Sequence, residues 1–176
     1  MSSDAPNSIE TIVCLANSRK ISGRCVAGKR TGDNSWFRPI SNRAGHEISE
    51  LDRRYSDGKT AQLLDVIEIP CIEERPHGHQ SENVLIDDRF YWEKKGNASW
   101  DDVLELVDPA ADLWASGFSA YYNRNNRVPD GLIDEDGGSL RLIELDEMVL
   151  HAGPKAPDFG DMKPIVRASF NYRGQH

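Results

Sequence analysis

Short apolar runs, repeatedly broken by Gly, Asn, Asp and Pro, predict many short strands. Residues 11–16 read as a strand, and 24–28 as a second after a polar turn at Gly23. Residues 35–40 form an aromatic third, which Pro39 places on an edge or at a bulge. A short helix is predicted over 47–54, ended by Asp57 and Gly58. The clearest alternation is 61–72, where Leu63, Ile67, Ile69 and Cys71 share a face with Asp65. Two short strands, at 83–86 and 89–92, flank an Asp87-Asp88 turn.

The period then changes. Ser99 is a good N-cap, followed by Asp101 and Asp102 in the first turn, where the helix dipole favours acids. Val103, Leu104, Leu106 and Val107 form one apolar side, Pro109 starts a second short helix, and Gly117 stops it. Residues 118–138 are the longest irregular stretch. Strands return at 139–145 and 148–151, and 165–173 alternates with Val166, Ala168, Phe170 and Tyr172 on one face. Strand–helix–strand alternation is not sustained, so the prediction is all-β with a short helical insertion, not a doubly wound sheet.

Composition narrows this. The chain has 176 residues, 38 % hydrophobic and 28 % charged, which suits a folded protein of one or two small domains. No run reaches the roughly 20 apolar residues of a membrane helix, so no membrane partner is expected. Cys14, Cys25 and Cys71 are odd in number and sit in apolar stretches; they read as buried free thiols in a reducing cytoplasm. The net charge is −8, yet residues 1–60 carry ten Lys/Arg against seven Asp/Glu, and residues 61–176 carry eleven against twenty-two. The front is basic and the back acidic.

Several stretches taken in order carry a resemblance: Cys14–Lys20 (CLANSRK), Gly23–Gly28 (GRCVAG), Trp36–Ser41 (WFRPIS), Leu64–Pro70 (LDVIEIP) and Pro76–Asn83 (PHGHQSEN), closing on Leu113-Trp114 and Asn126–Val128 (NRV). From about Thr11 to about Leu150 the chain resembles the dual OB-containing domain family. The resemblance implies two small OB-like β-barrels packed together, nucleic-acid recognition and a place in bacterial defence against foreign DNA. It implies no catalytic residue. With the strand pattern it sets expected boundaries: a disordered lead-in over 1–10, a first barrel over 11–92, and a second with the helical insertion over 93–176.

Three groups of residues offer chemistry. Asn17, Ser18, Arg19, Lys20, Arg24, Trp36 and Arg38 combine an indole, on which a base can stack, with cations that track phosphates. The alternative is a core indole among solvated turns. His77, His79, Gln80, Glu82 and Asn83 crowd donors and acceptors into one loop. That loop reads as ligand-contacting or as self-satisfied; a metal site from His77, His79 and Glu82 is the weaker reading, and no metal or cofactor is expected. Tyr121, Tyr122, Arg124 and Arg127 set aromatics beside Arg and Asn, which can stack on and hydrogen-bond bases; the alternative is a merely mobile loop. No G-x-S-x-G, Walker or H-E-x-x-H motif occurs, and a thiol–imidazole pair of Cys14 or Cys25 with His77 is the remaining catalytic option.

The leading expectation is a nucleic-acid or nucleotide recognition module using the basic half, with the His77–Asn83 loop lining the same cleft. The alternative is an adaptor whose acidic half docks a protein partner. A nucleotide-processing enzyme working through His77 and His79 ranks third.

Overall fold

A computed structural model describes residues 5–20, 22–109, 113, 129, 138–145, 147–154 and 164–172. Two compact units divide between Arg141 and Leu142.

The first unit holds six strands: β1 (Ser8–Lys20), β2 (Gly23–Arg30), β3 (Trp36–Ile40), β4 (Asp65–Glu74), β5 (Asn83–Ile86) and β6 (Glu93–Asn97). Their order is β1-β2-β3-β5-β4-β6, and β4 also pairs with β1, so five strands close into a barrel with β6 added outside β4. Only β3 and β5 run parallel among these pairs. This is the Greek-key order of an OB barrel. Closure depends on the length of β1, whose 13 residues serve two neighbours. Ser8 to Val13 pair with β4, and the stretch from Ile12 onward pairs with β2. A shift of register between Cys14 and Ala16 gives β1 the bend this requires.

Alternation fills the barrel. Ile12, Cys14, Val26, Phe37, Ile67, Ile69, Cys71, Val84 and Ile86 form its buried core with Ile48, Tyr55 and Trp92. Burial of each large apolar side chain contributes about 1.5–3 kcal/mol. Gly28 marks a close approach of β1 to β2: a Cβ there would lie 2.1 Å from the Val13 carbonyl oxygen. Gly28→Ala must therefore spread β1 from β2. We expect it to lower stability by about 1–3 kcal/mol, read as a lower urea midpoint with an unchanged slope.

Several expectations shift. The lead-in is shorter, because Ser8, Ile9 and Glu10 already pair with β4. No helix forms over 47–54: Ile48 is fully buried and exchanges backbone hydrogen bonds with Arg24 at 2.8 and 2.9 Å, so tertiary pairing overrides the local pattern. The strand read over 61–72 starts only at Asp65, after Leu64 adopts a φ of 67°. Residues 89–92 are not a strand, whereas the charged Glu93–Asn97 segment is, held by pairing with β4. That pairing also carries the first unit past the expected boundary at residue 92. The helix α1 (Trp100–Glu105) forms as predicted, with a capping box between Ser99 and Asp102. Residues 139–145 are not strand. The second expected helix falls largely outside the described residues.

In the second unit, β7 (Met148–Pro154) and β8 (Pro164–Phe170) pair antiparallel as a hairpin. Among the described residues, no helix is long and apolar enough to cross a membrane.

Candidate nucleic-acid interface

The outer face of β2 and β3 comes from the residues that alternate with the core. Phe37 and Pro39 point inward, which turns Trp36 and Arg38 outward. Lys29 pairs in register with Trp36, and its ammonium stands 5.5 Å from the indole centroid. On an OB barrel this face, with the loops after β1 and before β5, is where oligonucleotides lie.

Here the face is covered by its own chain. Asp108, just beyond α1, accepts from Lys29 Nζ at 2.5 Å and from Trp36 Nε1 at 3.0 Å, and Lys29 also donates to the Leu106 carbonyl at 2.7 Å. Arg38 is held by Glu82 Oε1 at 2.8 Å and donates to Ser139 Oγ at 2.6 Å; the Ser139 hydroxyl also bonds Glu82. Two segments distant in sequence, 106–108 and 138–141, thus meet the same face.

The loops join into a rim. Lys20 donates to the Gly45 carbonyl and Ser22 bonds Glu47, tying the β1–β2 turn to residues 43–47. Arg75 donates to Asn42 Oδ1 at 2.7 Å, and the rings of His46 and His77 lie 6.4 Å apart, tying those residues to the loop before β5. The basic turn and the histidine loop therefore meet through residues 42–47. Along this rim Ser18, Arg19, Lys20, His77 and His79 are exposed.

Other candidates lie elsewhere. Asn17 turns inward and donates to the Ala61 carbonyl at 2.7 Å. Asn83 is buried, paired in register with Arg38, and donates to Gln80 Oε1 at 3.2 Å; both amides serve the loop. Arg124 and Arg127, with Tyr121 and Tyr122, lie outside the described residues, as do Asp134, Glu135 and Asp136 of the acidic half.

The basic segment is largely neutralised in place. Arg24 pairs with Glu50, Lys29 with Asp108, Arg30 with Glu10, Arg38 with Glu82 and Arg43 with Asp52. Burial opposes ionisation of Asp52, but the Arg43 guanidinium and the Ser49 N–H and hydroxyl outweigh it and hold the carboxyl below its usual range. Arg19 and Lys20 form no direct ion pair among the described residues, although the Lys20 ammonium is near enough to Glu47 to help the Ser22 hydroxyl, the larger cause, hold that carboxyl below its ordinary value.

Of the two thiols that could pair with His77, Cys14 weakens on chemistry, while Cys25 is half-buried. Burial, with Asp65 adding to it, pushes the Cys14 thiol up to about 12, and burial does the same to Cys71. Thiols so protonated are poor nucleophiles. Among the described residues no group of three His, Cys, Asp or Glu is arranged to hold a metal ion.

Lys29, Asp108 and Ser139 belong to the site without being named as ligands by the sequence pattern, whereas Glu82, read there as part of the histidine loop, joins it through Arg38 and Ser139. Lys29 carried a signal, since its strand neighbours Ala27 and Gly28 are small and it alternates with the core. Asp108 and Ser139 carried none, because their contacts span 79 and 101 residues of chain.

Comparison with curated proteins and with solved structures brings no match. The profile of the dual OB-containing domain matches residues 10–176, nearly the whole chain. With the closed five-stranded barrel above, the chain belongs to the dual OB-containing domain family.

Proposed function

We propose that this protein is a nucleic-acid recognition module that takes a single strand across the rim and the outer face of β2 and β3. The observation that carries this reading is one face of the barrel: Trp36 and Arg38 side by side, with Lys29 next to Trp36 but buried under segment 106–108, framed by the loops at Arg19–Lys20 and His77–His79. An indole supplies a stacking plane that suits any base, and cations supply phosphate contacts.

The internal ion pairs shape the expected behaviour. Exposed ammonium and guanidinium groups without a carboxylate release counterions when a phosphate docks; groups already paired do so only after exchanging partners. With Arg19 and Lys20 as the immediate contacts, log Kobs against log salt should have a slope of about −1.4, shallow for such a module. The test is fluorescence anisotropy of labelled single-stranded and duplex 12-mers between 20 and 200 mM salt. Replacing both Arg19 and Lys20 by Ala should flatten the slope towards zero and weaken binding most at low salt. Lack of binding to either oligonucleotide at 20 mM salt would overturn the reading.

A further inference from the structure

A cavity of about 310 Å³ opens beside the covered face, lined by Trp36, Ser35, Ser81, Glu82, Ser139 and Arg141, among others. Its size is at the lower end for small-ligand sites and ample for a single planar ring. Glu82 is its unusual member. The side chain is only 3 % exposed, and Oε1 is fully engaged by Arg38 and Ser139. Oε2 is buried and has no hydrogen-bond partner among the described residues. An orphaned carboxylate oxygen in a folded interior costs free energy, and in a cavity wall it is an acceptor that the donor of a bound ligand would complete. Gly138 lies over it, where a Cβ would stand 3.9 Å from Oε2.

We propose that this cavity takes a nucleobase bearing an exocyclic amino group, whose N–H completes Glu82 Oε2 while the ring lies along Trp36. The proposal rests on the nucleic-acid reading above and adds a base preference to it. A carboxylate accepts from the cytosine 4-amino group, and adenine offers an equivalent donor. Uracil and thymine do not fit. Their single ring N–H stands between two carbonyl oxygens, whose lone pairs a carboxylate repels. Arg141 is exposed, and its guanidinium donates to the Leu140 carbonyl at 3.0 Å. It forms no ion pair among the described residues.

Deoxycytidine and deoxyuridine 12-mers separate this from general affinity, because they share ring size and backbone. The wild-type protein should bind dC12 at least about fivefold tighter than dU12. Glu82→Gln keeps the shape and leaves an oxygen for Arg38 and Ser139, but places an amide N–H where Oε2 stood. That donor suits the uracil 4-carbonyl, so the variant should lose the cytosine preference or reverse it. Equal affinity of wild type for dC12 and dU12 overturns the base pocket while leaving the module intact. Failure to bind either at 20 mM salt overturns both. A cytosine preference that survives Glu82→Gln assigns the selection to another group and overturns the role of Glu82. Should the variant not fold, as far-ultraviolet circular dichroism would report, the wild-type comparison stands as the test by itself.

Discussion

Asp108→Ala should raise affinity for a single-stranded 12-mer about tenfold at low salt and steepen its salt dependence by about 0.7 in slope. The carboxylate of Asp108 sits where a phosphate would, with one oxygen 2.5 Å from the Lys29 ammonium and the other 3.0 Å from the Trp36 indole N–H. A polyanion reaching this face must displace it. Charge-assisted hydrogen bonds contribute about 1.5–3 kcal/mol each, and a docking phosphate remakes most of what it displaces, so a net cost of about 1.4 kcal/mol, a factor of ten on affinity, is expected. Removing the carboxylate removes the competitor and releases one cation, Lys29, for phosphate. Asp108→Asn keeps an acceptor without the charge and should give a smaller gain. An affinity that is unchanged or reduced by Asp108→Ala would show that segment 106–108 is a permanent part of the barrel wall, not a cover over a binding face.

Asp65→Ala should destabilise the first unit by about 3 kcal/mol, the low end of what removing one member of a buried ion pair costs. The low end is chosen because Lys94, its cationic partner at 2.6 Å, is 39 % exposed and keeps water on its far side. Asp65 itself is fully enclosed. Its carboxylate accepts from Tyr55 Oη at 2.7 Å, the Gln62 N–H at 3.0 Å, Lys94 and Asn97 Nδ2 at 2.9 Å. Those donors tie the 55–65 loop, β4 and β6 together, and the substitution leaves them facing a void. Burial alone would raise this carboxyl; Lys94, Tyr55 and the Gln62 amide outweigh it and hold it below the ordinary value. A carboxyl depressed in the folded state lends stability that is complete above the unfolded value, near pH 4, and fades as pH falls through the folded one. The urea midpoint of the wild type should therefore hold from pH 7 to pH 5 and drop below pH 4. In Asp65→Ala the drop should be smaller, leaving Asp52 and its like to supply the remainder.

Much of the barrel is legible in the amino-acid order. The alternation of Ile67, Ile69 and Cys71, the Trp36-Phe37-Arg38 switch of faces, and the Ser99 cap all follow from local chemistry, and the structure places them accordingly. What local chemistry does not carry is pairing across the chain. Glu93–Asn97 has no apolar residue, and becomes a strand because β4 offers an unpaired edge. Residues 47–54 have helical spacing, yet Ile48 is claimed by the core and by Arg24. The site follows the same division. Trp36, Arg38, Arg19 and Lys20 could be named from type and spacing. That Arg38 faces Glu82, or that Asp108 occupies Lys29, depends on contacts across 44 and 79 residues respectively, for which no short-range signal exists.

The central claim is that nucleic acid meets one defined surface of the first barrel. Backbone amide shifts of isotope-labelled protein, followed during titration with an unlabelled single-stranded 12-mer, test it most directly. The account predicts perturbations concentrated at residues 18–22, 36–38 and 77–82, with loss of the Trp36 indole signal from its Asp108-bonded position. Perturbations confined to β6 and its pairing partner in β4 around Glu68, with Trp36 unmoved, would contradict it.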